Sequence, residues 1–180
     1  MWRYIEAMFE VLAFVYENYW AGDSCPELPV LQRRLNAVGF DSREVVDALL
    51  WLEGLKSAAR GLHRSHHGRS ALTTVATLPP AGHLAMPPAG QRATRIFTAA
   101  EQDRLGVAGW GFVIFLAAIG ALPDDRLELV MERAMAASGD PIGMEDIKLI
   151  VLMVYWSLGE EPDALLLDEL CDNRVGRLAN

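Results

Sequence analysis

Residues 41–55 read DSREVVDALLWLEGL, and the interpretation of that stretch decides the fold. Asp41 stands where an N-cap belongs, with Glu44 at the third helical position, and Phe40 and Val45 occupy the hydrophobic-staple positions. The spacing predicts a helix starting just after Asp41. At about 100° per residue its apolar set, from Val45 and Val46 through Ala48, Leu49, Leu50, Trp51 and Leu52 to Leu55, runs around most of the circumference. Polar residues are confined to Arg43, Glu44, Asp47 and Glu53, and only Arg43 is basic. A shorter helix over 30–38 precedes it, stopped by Gly39 in the left-handed conformation that ends many helices. Two helices with so tight a turn form a helix-turn-helix in the geometric sense. A DNA-reading helix presents a polar, usually basic face to the major groove. This one reads instead as the centre of a small bundle. Trp51 lies beside Glu44 and Asp47, off the Val45–Leu49–Leu52 stripe, so it either closes a gap to a neighbouring helix or anchors a partner.

Working outward, the N-terminal segment is helical by pattern. Glu6, Glu10 and Glu17 share a solvated face with Arg3, opposite Ile5, Met8, Phe9, Leu12, Val15 and Tyr19. Tyr4 and Tyr16 are further, weaker candidates for partner contact. On the C-terminal side, Arg95–Phe97 reads as extended, and Thr98 with Glu101 fits a capping box opening another helix. Helices over 111–122, 124–136 and 144–158 follow, then a tail with one more short helix. The expected fold is all-α. A helix-turn-helix or winged-helix-like unit (1–58) is joined by a flexible linker (59–93) to a helical bundle (94–160) and a tail (161–180).

Composition narrows the function. The 180 residues are 52% hydrophobic and 22% charged, with a net charge of −8, which argues against a chain built as a whole for nucleic acid or anionic lipid. The stretch 105–123 lacks any charge, and we read it as a helix buried on all sides rather than a span, in a soluble, cytoplasmic protein. Cys25 and Cys171 are too few for a disulfide scaffold or a four-cysteine zinc site. His63, His66 and His67 lie in the linker without the further ligands that a zinc site needs. No cofactor, metal or catalytic constellation is expected. An enzyme site would have to assemble in three dimensions from groups such as Arg95, Glu101 and Lys148.

Between 54 and 100 the chain carries Lys56, Arg60, Arg64, Arg69, Arg92 and Arg95 and no carboxylate. Arg60, Arg64, Arg69, Arg92 and Arg95 are therefore candidate phosphate contacts, although the linker offers no aromatic ring on which a base could stack.

Taken in order, several blocks resemble the bacterial Smg family. They are Met8-Phe9-x-Val11-Leu12, Tyr16-Glu17-Asn18-Tyr19, Leu35-x-x-Val38-Gly39-Phe40, Ala48–Leu55, and Arg95-Ile96-Phe97-Thr98-x-x-Glu101-x-x-x-Leu105. Gly111-Phe112, Val130–Arg133, Glu145–Lys148 and Val151–Val154 complete the set. Trp110, Leu127 and Leu149 depart from the family's usual residues. The resemblance implies a cytoplasmic protein of uncharacterised function with no assigned reaction or cofactor. Two functions follow as expectations. The first is a non-catalytic helical adaptor docking an unknown protein partner, with no membrane role. The alternative is a nucleic-acid-binding accessory protein, in DNA processing or tRNA chemistry, using the basic linker and the winged-helix-like unit.

Overall fold

A computed structural model describes residues 2–19, 27–72, 95–137 and 141–171. The fold is all-α. Its helices among the described residues are α1 (Trp2–Tyr19), α2 (Leu28–Val38), α3 (Ser42–Leu72), α4 (Ala99–Ala118), α5 (Asp124–Ala136), α6 (Met144–Ser157) and α7 (Ala164–Cys171). No strand is present among the described residues to serve as a wing.

The predicted punctuation acts through identifiable bonds. Gly39 adopts φ 110° and ψ 10°. Its N–H donates to the Asn36 carbonyl and that of Phe40 to the Leu35 carbonyl, a Schellman motif that satisfies the last carbonyls of α2. The Asp41 carboxylate then accepts from the Arg43 N–H at 2.8 Å and opens α3. At α4 the capping box is complete: the Thr98 hydroxyl accepts from the Glu101 N–H, and the Glu101 carboxylate accepts from the Thr98 N–H.

Three boundaries differ from expectation. Helix α2 begins at Leu28 because Pro29 falls in its first turn, where the missing N–H costs nothing. Helix α3 does not end near 58 but continues to Leu72, through the first part of the expected linker. No proline occurs there before Pro79, and residues such as Leu55, Ala58, Ala59 and Arg60 favour helix. Within that continuation Ala59 is buried and Leu62 packs against the core. The rest of that linker lies outside the described residues. Finally, the helix expected over 111–122 is the second segment of α4, which kinks at Gly106 (φ 64°, ψ 173°) and stops at Ala118.

Helix α6 is the pillar. Every residue from Ile147 to Tyr155 is buried, and α1, α3, α4, α5 and α7 all pack on it. Helices α1 and α2 pack on α3, and α3 in turn packs on α5, so the N-terminal and C-terminal helices share one hydrophobic core. The uncharged stretch 105–123 behaves otherwise than expected. Leu105, Val113, Leu116 and Leu122 are buried, but Val107, Ile114, Phe115 and Ile119 face outward. No helix among the described residues is long and apolar enough to cross a membrane.

The Gly106 conformation is one that essentially only glycine adopts. Gly106→Ala should lower stability by about 1–3 kcal/mol. Gly111→Ala, in the same helix with open space where the Cβ would go, should raise it by up to about 1 kcal/mol. Urea denaturation of the two variants reads both signs.

Candidate functional site

Trp51 closes the gap between α3 and α5. It is only 4% exposed, and its indole N–H donates to the Arg133 carbonyl at 3.0 Å. Arg133 answers with a long bond from Nη1 to the Trp51 carbonyl and an ion pair from Nη2 to Glu132 at 2.7 Å. Gly54, one turn beyond Trp51, makes the slot for this guanidinium, because a Cβ there would stand 2.2 Å from Arg133 Nη1. Of the two roles the sequence left open for Trp51, the structure shows the packing one. Tyr16 is also buried and meets the Trp156 ring edge-on at 6.5 Å, joining α1 to α6. Tyr4 lies in α1, with its side chain outside the described residues.

The candidate phosphate contacts separate. Arg95 donates from Nε and Nη2 to the Glu128 carboxylate and from Nη2 to Glu101 at 2.8 Å, and its guanidinium lies 4.2 Å from the Phe97 ring centre. Phe97 in turn meets Trp110 edge-on. The bond to Glu128 and, against some burial, the bond to Glu101 raise the Arg95 pKa above its ordinary value. Burial works to raise the Glu101 carboxyl, but bonds from the Thr98 backbone, Arg95 and the Thr98 hydroxyl hold it below the usual carboxylate range. Arg60 is exposed on α3. Arg64 and Arg69 lie on the same helix with side chains outside the described residues, and Arg92 lies outside them altogether.

Arg95, Glu101 and Lys148 do not form one site. Lys148 Nζ donates to the Glu169 carbonyl at 2.8 Å, a cation at the negative end of α7. Arg104 plays the same part for α5, donating to the Ala134 and Ala137 carbonyls. Two turns further along α6, burial pushes the Tyr155 phenol up while its O–H donates to the Ala121 carbonyl. The inward-facing polar groups thus fasten helices to one another.

Two features face solvent. The first is the outer side of α4, where Val107 is 92%, Phe115 52% and Ile119 57% exposed. The second is a groove of about 200 Å³ between α2 and α3, lined by Leu28, Pro29, Gln32, Val46, Leu49, Leu50 and Glu53. Leu50, in its wall, is 61% exposed. Sequence reasoning assigned neither surface. The charge-free stretch 105–123 and the apolar excess around α3 were the signals that could have found them.

Among the described residues the polar side chains of the interior hold helices to one another, and several large apolar side chains lie outside. Residues 8–179 match the family model described as "Protein of unknown function (DUF494)". The chain is 44% identical to "Protein Smg homolog" of Leptothrix cholodnii, over 95% of its own length and 99% of that protein. It is 46% identical to the Methylibium petroleiphilum homologue over the same shares. The Herminiimonas arsenicoxydans homologue is 39% identical, over 91% of this chain and 92% of that one. The chain belongs to the Smg family. No solved structure matches it.

The slot at Gly54 makes a sign prediction. Gly54→Ala should destabilise by about 1–3 kcal/mol through overpacking, yet in an Arg133→Ala background it should stabilise by up to about 1 kcal/mol through helix propensity. Urea titration of the four proteins in the cycle measures the coupling. The lowered Glu101 pKa makes another. Its contribution to stability is complete above the ordinary carboxylate range and is lost as pH falls through the lowered folded value. Glu101→Gln should flatten the acid limb of stability against pH and leave the slope near neutrality unchanged, as read by urea denaturation at stepped pH.

Proposed function

We propose that the protein is a non-catalytic cytoplasmic adaptor, a helical body that docks a protein partner. The observation carrying this reading is the outer side of α4. A helix that is apolar all round belongs in an interior, and this one turns Val107, Ile114, Phe115 and Ile119 to water. Covering a large apolar side chain is worth about 1.5–3 kcal/mol, so several together supply a useful share of an association energy after its entropic costs. In sequence the stretch is flanked by Asp103 and Arg104 before it and by Asp124 and Asp125 after it, a set acidic on balance. They would repel anionic lipid or nucleic acid, which favours a protein.

A second reading draws support from the continuation of α3. Lys56, Arg60 and Arg64 fall four residues apart on it, which aligns their positions along one helical face. Such a face suits phosphate contact without base readout. Arg95 fits that reading poorly, since its guanidinium is held by Glu101 and Glu128.

Affinity capture with mass spectrometry, run with and without nuclease, separates the two. The adaptor reading expects one reproducible protein partner that survives nuclease and is lost with Phe115→Glu. That variant, at an exposed position, should keep its urea midpoint energy within about 0.5 kcal/mol. If the captured species is a second copy, sedimentation will show an oligomer that Phe115→Glu dissociates. Capture that disappears with nuclease, or that Lys56→Glu with Arg60→Glu abolishes while Phe115→Glu does not, would transfer the case to nucleic acid.

A further inference from the structure

We propose that the α2–α3 groove is a socket for one large apolar side chain of a partner polypeptide, with a lysine or arginine beside that anchor in sequence. The inference is independent of the α4 surface. It starts from the size of the groove. At about 200 Å³ it is smaller than the 300–1,000 Å³ typical of small-molecule and cofactor sites. It is comparable to the apolar cavity of about 150 Å³ that takes up benzene. A leucine or aromatic side chain fits such a volume.

The walls specify an apolar guest. Leu28 and Pro29 come from the first turn of α2, and Val46, Leu49 and Leu50 from α3. Leu49 is buried at the back of the groove, whereas Val46 and Leu50 are left exposed at its side. On α3 Val46, Leu50 and Glu53 recur at spacings of four and three, so they form a continuous ridge along the solvent side. A protein gains nothing in its own core from Leu50 there. A guest side chain would cover it.

Charge then selects the guest's neighbour. Glu53 is exposed in the groove wall one turn beyond Leu50, and among the described residues no cation lies within ion-pairing distance of it. Glu27, also exposed, immediately precedes Leu28 at the mouth. Arg33, the nearest cation on α2 in sequence, is outside the lining and donates from Nε to the Pro29 carbonyl. An apolar socket edged by the exposed carboxylates of Glu53 and Glu27 complements a basic-flanked apolar segment. The same charges oppose a phosphate backbone or an acidic peptide.

The test uses the full chain, isotopically labelled for NMR, and three fluorescent peptides of about twelve residues each. One carries a central Phe flanked by Lys, one the same Phe flanked by Glu, and one an Ala flanked by Lys. The proposal expects the Phe–Lys peptide to bind about tenfold or more tightly than either of the others, with amide shifts centred on Val46, Leu50 and Glu53. Leu50→Glu should cost at least about tenfold in its affinity. Glu53→Lys should shift preference toward the Glu-flanked peptide, a reversal that a merely sticky surface would not give. Both substituted positions are exposed, and unchanged urea midpoints confirm that the variants fold. The idea is overturned by equal binding of the three peptides, by shifts centred elsewhere such as α4, by indifference to Glu53→Lys, or by no binding at all. Saturable binding of free indole or phenol at the groove with affinity equal to the Phe–Lys peptide also overturns it, because the site would then be one for a small molecule.

Discussion

Everything in this molecule depends on α6 being covered on every side. A helix whose residues from Ile147 to Tyr155 are all buried has no solvent face on which to rest. Its stability comes from its neighbours rather than from propensity, since an isolated helix of 14 residues is marginal in water. Five helices meet that demand, and they come from both ends of the chain. The N-terminal and C-terminal halves are thereby welded through one core, which is why α1 and α3 reach across to α6 instead of closing on themselves. Tyr16 against Trp156 and Trp51 against Arg133 are the visible seams of that weld.

The same constraint explains where the charged residues went. A core assembled from helix sides leaves helix ends at its margin, with carbonyls that need donors. Arg104 supplies them for α5 and Lys148 for α7. Arg133 is held between α3 and α5 by a missing Cβ at Gly54, and Arg95 is bound by two carboxylates while lying on Phe97. Long cationic side chains suit this work because their stems pack on apolar surface while their heads donate. Ionisable groups near the core therefore belong to the architecture, and their pKa shifts carry no catalytic message by themselves.

Much of the fold was legible because local chemistry wrote it. Gly39, Asp41, and Thr98 with Glu101 all follow from backbone groups that need partners, and those needs are satisfied within a few residues. Other features were not settled by such local bonds. Helix α3 runs on past 58 because no proline interrupts it before Pro79 and its residues there favour helix, a matter of propensity rather than of periodicity. The role of Trp51 turned on Arg133, distant in sequence, and the clue was a glycine one turn away on an otherwise packed helix face. The uncharged stretch was read as wholly interior because apolar composition cannot distinguish a side that is covered by this chain from one left for another molecule.

That ambiguity is also the most informative feature of the surface. Helices α2 and α3 have the connectivity of a DNA-binding pair, yet the outward ridge of α3 at Val46 and Leu50 is apolar and leads to Glu53. A recognition helix needs donors and positive charge on that ridge, since phosphate attraction supplies most of the affinity for a duplex. Here both are replaced by their opposites. The turn chemistry that joins the two helices is indifferent to what the second helix presents, so one scaffold can hold out an arginine or a leucine. In this chain it holds out a leucine, which together with the exposed apolar side of α4 gives the bundle two apolar surfaces open to solvent.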